Sequence, residues 1–375
     1  MKYIKSIDSI RAIAVLLVII CHWFGENHKL SIITGIVNGV DIFFVLSGFL
    51  ITRILLYSKN AAEQSGEALK VELRNFFFRR VLRIFPIYYL TIFSLYFIGP
   101  GTGTAIRENF IYFFTYTANI YFIRIESWDG MLSHLWSLSV EEQFYLIWPL
   151  ITLFIKRQYL LKTILIFIFI GIISQYMTDV GGMYTFACFD ALGLGALLAW
   201  IVSNKPEFLK TIYKPLLFVT MIAIVILSIR MAGFYFDLGF NPFKVPIRTL
   251  TSIITVWLLV YILLSNVPRI RIVDWLLQNR TLMYIGKISY GIYLYHLILP
   301  HFTNPTLSNW NAKLITSNSS LNFYLLRMEN FIILVIFALL SYRFIEMPFL
   351  RQKKYFLTKR ESKPGQLNSK VLVNK

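Results

Sequence analysis

Charge is what this chain has least of. Of its 375 residues only 15% are Asp, Glu, Lys or Arg, against ~25% in soluble domains, too few to coat a soluble body of this length. Cysteine is nearly absent: Cys21 and Cys188 fall in apolar runs on different predicted spans, which excludes a disulfide framework. No His/Cys/carboxylate spacing suits zinc, and no Gly-rich loop stands ready to cradle a phosphate. Neither a metal site nor a nucleoside-triphosphate site is therefore expected. Internal repeats are missing too. No small-x-small motif follows the apolar run 13–20, so that run is expected to be a retained first transmembrane helix rather than a cleaved signal.

What the chain does have is apolar surface. Hydrophobic residues make up 57% and aromatic residues 17%, and mean hydropathy is +0.63. They are gathered in blocks of 18 to 22 residues, long enough to cross a hydrocarbon layer of ~30 Å at 1.5 Å per residue. The expected fold is an all-α polytopic membrane protein with about ten transmembrane helices. Its spans are 7–24, 36–56, 81–99, 134–155, 160–178, 184–202, 213–231, 246–264, 282–300 and 329–346. The run 110–123 is too short to cross and reads as an interfacial or re-entrant piece. Residues 1–350 form one membrane domain, and 351–375 a basic tail.

The net charge of +18 would suggest nucleic acid in a soluble chain. Here it sorts by side. The connections on one face hold 24 Lys and Arg, those on the other hold 6. The positive-inside rule then puts both termini in the cytoplasm, with the lipid bilayer as the protein's partner and no nucleic acid; a multi-pass protein of the cell's cytoplasmic (inner) membrane is expected.

Ionisable groups inside spans cost ~2.5–3.5 kcal/mol each on insertion scales and mark function by default. The competing reading, a polar group satisfied between helices, holds for any one of them alone; their faces decide. In the first span Asp8, Arg11 and His22 share a stripe. Eleven residues bring His22 within ~20° of Arg11 and ~16 Å further along the axis. Arg80 and Arg83 share a face one turn apart, suited to gripping two phosphates, although positive-inside anchoring explains most basic residues here. Pro86 then predicts a bend or break in that helix. The fourth span is the most polar: His134, Ser137, Glu141 and Tyr145 stack on one face, with Glu142 beside Glu141. Two adjacent carboxylates in an apolar stretch suit proton handling, while Glu142 is almost equally well read as the partner of Arg11 or Arg230. Asp41 lies near the outer end of the second span, and Ser47-Gly48 at its middle. That step reads as close helix packing sooner than as a nucleophile, because no Gly-x-Ser-x-Gly elbow surrounds Ser47. The ninth span places Ser289, Tyr293 and His296 on one stripe. Arg80 and Arg83 fall at the inner boundary, and His22, Asp41, His134, Glu141 and His296 in the outer half.

At these residues the chain resembles the acyltransferase 3 family of bacterial membrane enzymes that O-acylate surface carbohydrates. The resemblance spans roughly 5–350 and rests on motifs in order: Ile7-Asp8-Ser9-Ile10-Arg11 with His22; Gly39-Val40-Asp41 through Ser47-Gly48-Phe49; Arg80-x-x-Arg83 before Pro86; His134-Leu-Trp-Ser-Leu-Ser-Val-Glu-Glu-Gln-Phe-Tyr; Gly286-Lys287-Ile288-Ser289-Tyr290 with Tyr293 and His296; and Glu346-x-Pro348. It implies cytosolic acyl-CoA, by default acetyl-CoA, as co-substrate with no bound cofactor. It also implies a carbohydrate or lipid-linked glycan acceptor at the extracytoplasmic face. His22 is then the general base or acyl relay, oriented by Glu141 or Asp41, and Arg80, Arg83 and Arg11 hold the CoA phosphates. Ser47, His134, Ser137, Glu142, Tyr293 and His296 are supporting residues. One departure is Cys188, where the family often has Arg two residues before the Asp of the sixth span; it leaves Asp190 unassigned. With no appended extracytoplasmic domain in the sequence, the stand-alone form is expected. The rival from another class is a membrane carrier of a polar glycan or acyl donor that performs no chemistry.

Overall fold

The computed structural model describes residues 3–25, 28–177, 182–235, 246–314 and 319–356. Among them every regular element is helical and no strand occurs, as blocks of continuous apolar sequence in lipid require, since only helices and closed barrels satisfy their own backbones there. Twelve longer or site-bearing helices among the described residues are α1 (Ser6–Trp23), α2 (Gly39–Ser65), α3 (Leu69–Ile98), α4 (Leu135–Phe154), α5 (Arg157–Met177), α6 (Phe189–Asn204), α7 (Phe208–Tyr235), α8 (Ile247–Leu263), α9 (Arg280–Lys287), α10 (Ser289–Tyr295), α11 (Ile298–Leu314) and α12 (Ser319–Ser341).

Seven helical segments among the described residues are long and apolar enough to cross a membrane; Ile247–Leu263 is apolar but shorter. The other two expected spans differ for physical reasons. In α4 the Ser, Glu and Gln residues dilute its apolar character; among them Ser137, Glu141 and Glu142 line the site described below. The expected ninth span, 282–300, is not one helix. It breaks into α9, α10 and the start of α11, with turns at Ile288 and at His296–Leu297. The first of these breaks follows a close contact: a Cβ on Gly286 would lie 1.8 Å from the Asp8 carbonyl oxygen, so α9 crosses α1 at backbone distance.

The Ser-Gly step of α2 does what its composition suggests. A Cβ at Gly48 would sit 1.9 Å from the Leu192 carbonyl oxygen, and one at Gly195 would sit 2.1 Å from that of Val45. Helices α2 and α6 therefore cross with their backbones nearly touching, the small-residue packing that lipid favours. Around that crossing lie Phe44, Phe49 and Trp148, all fully buried, and the Trp148 indole N–H donates to Thr52 Oγ1 at 2.7 Å.

Pro86 does not break its helix: α3 runs unbroken from Leu69 to Ile98. The break expected there is corrected, as is the expected start at 81, because α3 begins three turns earlier and carries Arg79, Arg80 and Arg83 in its interior. In membrane proteins a proline inside a helix is tolerated because neighbouring groups and local adjustments accommodate it. Close by, the Tyr290 hydroxyl donates to the Ile84 carbonyl at 3.3 Å and ties α10 to α3. The run 110–123 becomes two short helices, Phe110–Phe114 and Ala118–Ile125, separated by Tyr116 at φ 54. After α12 a π-turn at Tyr342–Glu346 leads to a 3₁₀ turn, Gln352–Phe356. Arg79 donates to the Phe356 carbonyl at 2.6 Å, and Phe78 stacks on the Phe356 ring at 4.7 Å. The rest of the expected basic tail, 357–375, lies outside the described residues.

Candidate active site

Two cavities flank a cluster of three histidines. The first, about 90 Å³, lies between α1, α2, α3, α4 and α10 and is lined by Arg11, Ser47, Arg80, Arg83, Ser137, Glu141, Glu142, Tyr145 and Tyr293. Eight of the twelve residues singled out in the sequence thus meet at one place, drawn from five helices. Their order in the helices explains the meeting. Ser137, Glu141 and Tyr145 recur at helical spacing on α4, and the crossing at Gly48 brings Ser47 against that face.

Inside this cavity the carboxylate is held by hydroxyls. Glu141 accepts from Ser47 at 3.0 Å and from Tyr145 at 3.0 Å, and the two hydroxyls lie 2.9 Å apart. Ser47 therefore serves Glu141 here. The cations are arranged differently. Arg11 pairs with Asp8 at 3.2 Å, and the Tyr3 hydroxyl donates to the other Asp8 oxygen. Arg80 lies over the Tyr145 ring at 5.1 Å and the Phe76 ring at 5.6 Å. Neither Arg80 nor Arg83 has a hydrogen bond or ion pair among the described residues, although both face the same cavity. Two guanidiniums held together without a carboxylate partner form a ready anion grip. Glu142 lines the same wall, and the pairing with Arg11 or Arg230 considered for it is not formed among the described residues.

The second cavity, about 420 Å³, opens at the far end of α1 and is lined by His22, Trp23, His301, Asn304, Arg327 and Asn330, with Gly130, Met131, Leu297, Pro300 and Leu326. His22 is solvent-accessible on this side. Behind it His296 and His134 are buried, their rings in edge contact at 4.8 Å.

The hydrogen bonds fix how these rings hold their protons. His296 Nδ1 lies 2.6 Å from the Tyr293 carbonyl oxygen. A carbonyl only accepts, so Nδ1 carries the hydrogen and Nε2 of the neutral ring is bare. His22 Nδ1 lies 2.9 Å from that Nε2 and must donate to it. The remaining nitrogen of His22, Nε2, then holds a free lone pair on an accessible ring. The same logic makes His134 Nε2 a donor to the Leu294 carbonyl at 3.0 Å. An accessible imidazole, oriented through its other nitrogen, is the arrangement of a general base or nucleophile. Ser137 and Tyr293 link the wall of the first cavity to the histidines: their hydroxyls are 2.5 Å apart, and the Tyr293 carbonyl is the one that anchors His296.

Two expectations about carboxylates are corrected. The orienting partner of His22 is His296, not Glu141 or Asp41. Glu141 shares a wall with Arg80 and Arg83 instead of standing with His22. Asp41 lines neither cavity; it is buried in an ion pair, accepting from Arg248 Nε at 2.9 Å. Arg248, from α8, also donates to the Ala187 carbonyl at 2.7 Å. Asp190 accepts from Thr249 at 2.6 Å and from Gln175 at 2.9 Å. So the guanidinium beside this pair of aspartates comes from α8, while Cys188 is a buried free thiol. Arg248 was not singled out in the sequence. Its signal was a lone arginine at the edge of an apolar span, which a single sequence cannot pair with an aspartate 207 residues away. No group of three or more His, Cys, Asp or Glu positioned to hold a metal occurs among the described residues.

A family model described as "Acyltransferase domain" (Acyl_transf_3) matches residues 4–345. The chain belongs to the acyltransferase 3 family. Among its relatives, "Peptidoglycan O-acetyltransferase OatA" of Listeria monocytogenes is 30% identical, over 96% of this chain and 59% of its own length. "Putative O-acetyltransferase SACOL0978" of Staphylococcus aureus is 29% identical, over 94% of this chain and 58% of its own. "Putative peptidoglycan O-acetyltransferase YrhL" of Bacillus subtilis is 28% identical, over 94% and 55%. The chain spans less than two thirds of the length of these curated relatives. No solved structure matches it.

Proposed function

We propose that this acyltransferase moves an acyl group, acetyl in the simplest case, from acyl-CoA to a hydroxyl of a carbohydrate or lipid-linked glycan on the opposite side of the membrane. The observation that carries the reading is the pairing of an unpartnered guanidinium grip in the first cavity with an accessible, oriented imidazole in the second. Relatives named as O-acetyltransferases supply the acyl group by analogy.

The topology follows from the charge count. Adding α4, α8 and the broken segment 280–300 to the seven long apolar helices gives ten crossings and sets both termini on one side. The 24-to-6 bias of Lys and Arg makes that side cytoplasmic. Arg11, Arg80 and Arg83 then face the cytoplasmic half and hold the phosphates of CoA. The extended pantetheine arm carries the thioester toward His22, across an offset of ~16 Å along α1.

At His22 the acceptor hydroxyl gives its proton to Nε2 as its oxygen bonds to the thioester carbonyl carbon. The carbon–sulfur bond breaks, and the departing thiolate takes the proton back from His22, leaving free CoA and an ester. His296 accepts from Nδ1 throughout, holding the ring in one tautomer. His22, Arg80, Arg83 and Arg11 are the residues of this assignment, with Glu141, Ser47 and Tyr145 shaping the path between them and Asp41 acting on α2 through Arg248. Purified protein in lipid vesicles with labelled acetyl-CoA tests the reading. Consumption of the thioester is expected. Passage of label across the vesicle wall with the thioester intact would favour a carrier and overturn it.

A further inference from the structure

The second cavity holds more than His22. At about 420 Å³ it falls within the ~300–1,000 Å³ of small-ligand sites. On α11, Pro300, His301 and Asn304 recur at i, i+1 and i+4 and so turn toward one side. Asn330, on α12, lies across from them.

One polar group there has its polarity fixed by the protein. Asn330 is buried, and the end of its amide lying 2.7 Å from the Leu326 carbonyl oxygen must be the nitrogen, because a carbonyl only accepts. That same nitrogen lies 2.9 Å from the Asn304 amide, so the atom of Asn304 facing it must be the oxygen. The Nδ2 group of Asn304 is then left over. It has no hydrogen-bond partner among the described residues, and Asn304 is half-buried on the wall of the cavity that His22 lines. A carbonyl two residues removed has set a donor beside the reacting imidazole. By contrast Arg327 is occupied: it donates to the Trp23 and Phe323 carbonyls at 2.7 and 3.0 Å and lies over the Phe323 ring.

We infer that this cavity is the acceptor subsite, taking a sugar ring, and that Asn304 Nδ2 is a specificity-determining donor to an oxygen of that ring. The assignment rests on the acyl-transfer reading above. A site that combines an aromatic edge at Trp23, a fixed amide donor, a second imidazole at His301 and apolar stretches at Leu297 and Leu326 matches the mixed faces of a pyranose. It does not match a lipid chain, which would leave the amide donor unsatisfied.

The test uses the full chain in membrane vesicles, with labelled acetyl-CoA as donor, the tetramer of N-acetylglucosamine as sugar probe and glycerol as a non-sugar alcohol. Asn304→Ala and Asn304→Asp are compared with wild type. Asn304→Asp keeps an acceptor for Asn330 and replaces the cavity donor with oxygen, so it preserves the fold if the alanine variant does not. The expected result is a rise of about tenfold in KM for the tetramer, the loss of one well-placed hydrogen bond. KM for acetyl-CoA, which binds at the other cavity, should stay at its wild-type value. Unchanged KM for the tetramer in both variants overturns the role of Asn304. Wild-type acetylation of glycerol as readily as of the tetramer overturns the sugar subsite. No acetyl-CoA turnover by the wild type at all overturns the acyl-transfer reading itself, a result distinct from either.

Discussion

Replacing His296 with phenylalanine isolates the hydrogen bond on which the proposed reactivity of His22 depends. The ring volume is nearly kept, so the fully buried site remains filled, but no atom is left to accept from His22 Nδ1. In wild type that contact is 2.9 Å, and its polarity is set by the 2.6 Å contact of His296 with the Tyr293 carbonyl. In the proposed mechanism His22 becomes an imidazolium as it takes the acceptor's proton, so the bond lost in the transition state is one to a charged group, worth ~1.5–3 kcal/mol. At 1.36 kcal/mol per factor of ten, kcat should fall by about 10- to 150-fold. His296→Asn, which can offer an amide oxygen, should recover part of the loss. The assay is initial-rate transfer from labelled acetyl-CoA, with KM for acetyl-CoA measured alongside. Because the first cavity is untouched, that KM should stay within about twofold of wild type, a split that simple misfolding would not give. A His296→Phe enzyme with kcat within twofold of wild type would refute the tautomer argument, and with it the account of how His22 is oriented.

Arg83→Ala removes one of the two unpaired guanidiniums and should raise KM for acetyl-CoA by about 10- to 150-fold, the equivalent of one charged hydrogen bond. The dependence of KM on ionic strength should weaken at the same time; an unchanged KM would remove Arg83 from the grip. Asp41→Ala strands Arg248 in the interior and should lower stability by ~3–5 kcal/mol, seen as faster thermal inactivation in detergent. A collapse of kcat with unaltered thermal stability would instead place Asp41 in the chemistry. Gly48→Leu drives a side chain into the Leu192 backbone and should reduce the yield of folded protein, whereas Ser47→Ala should fold normally. Normal yield and activity for Gly48→Leu would contradict the close crossing of α2 and α6.

Much of the first cavity was legible in the sequence, because each contributing motif is local. Arg80 and Arg83 lie one turn apart, and Ser137, Glu141 and Tyr145 recur at helical spacing, so a face can be drawn without knowing its neighbour. What could not be drawn was which face meets which. Glu141 pointed toward the outer half by its place in α4, yet the crossing at Gly48 joins it to Ser47 and the arginines. Asp41 looked catalytic because its partner Arg248 lies six helices further on. The discontinuity at Ile288 and His296 was hidden by continuous apolar sequence; hydropathy measures length and composition and does not register a contact such as Gly286 against Asp8. Asn304 carried no signal at all, since its importance comes from a hydrogen bond made by Asn330 to a backbone carbonyl.

In the proposed mechanism Nε2 of His22 takes the acceptor's proton, and acyl transfer by the His22→Ala protein tests that step. The membrane-purified variant, compared with wild type at saturating labelled acetyl-CoA, should bind acetyl-CoA with unchanged affinity and transfer at least ~100-fold more slowly, as loss of a general base entails. Transfer within threefold of wild type by a folded His22→Ala protein would contradict the account.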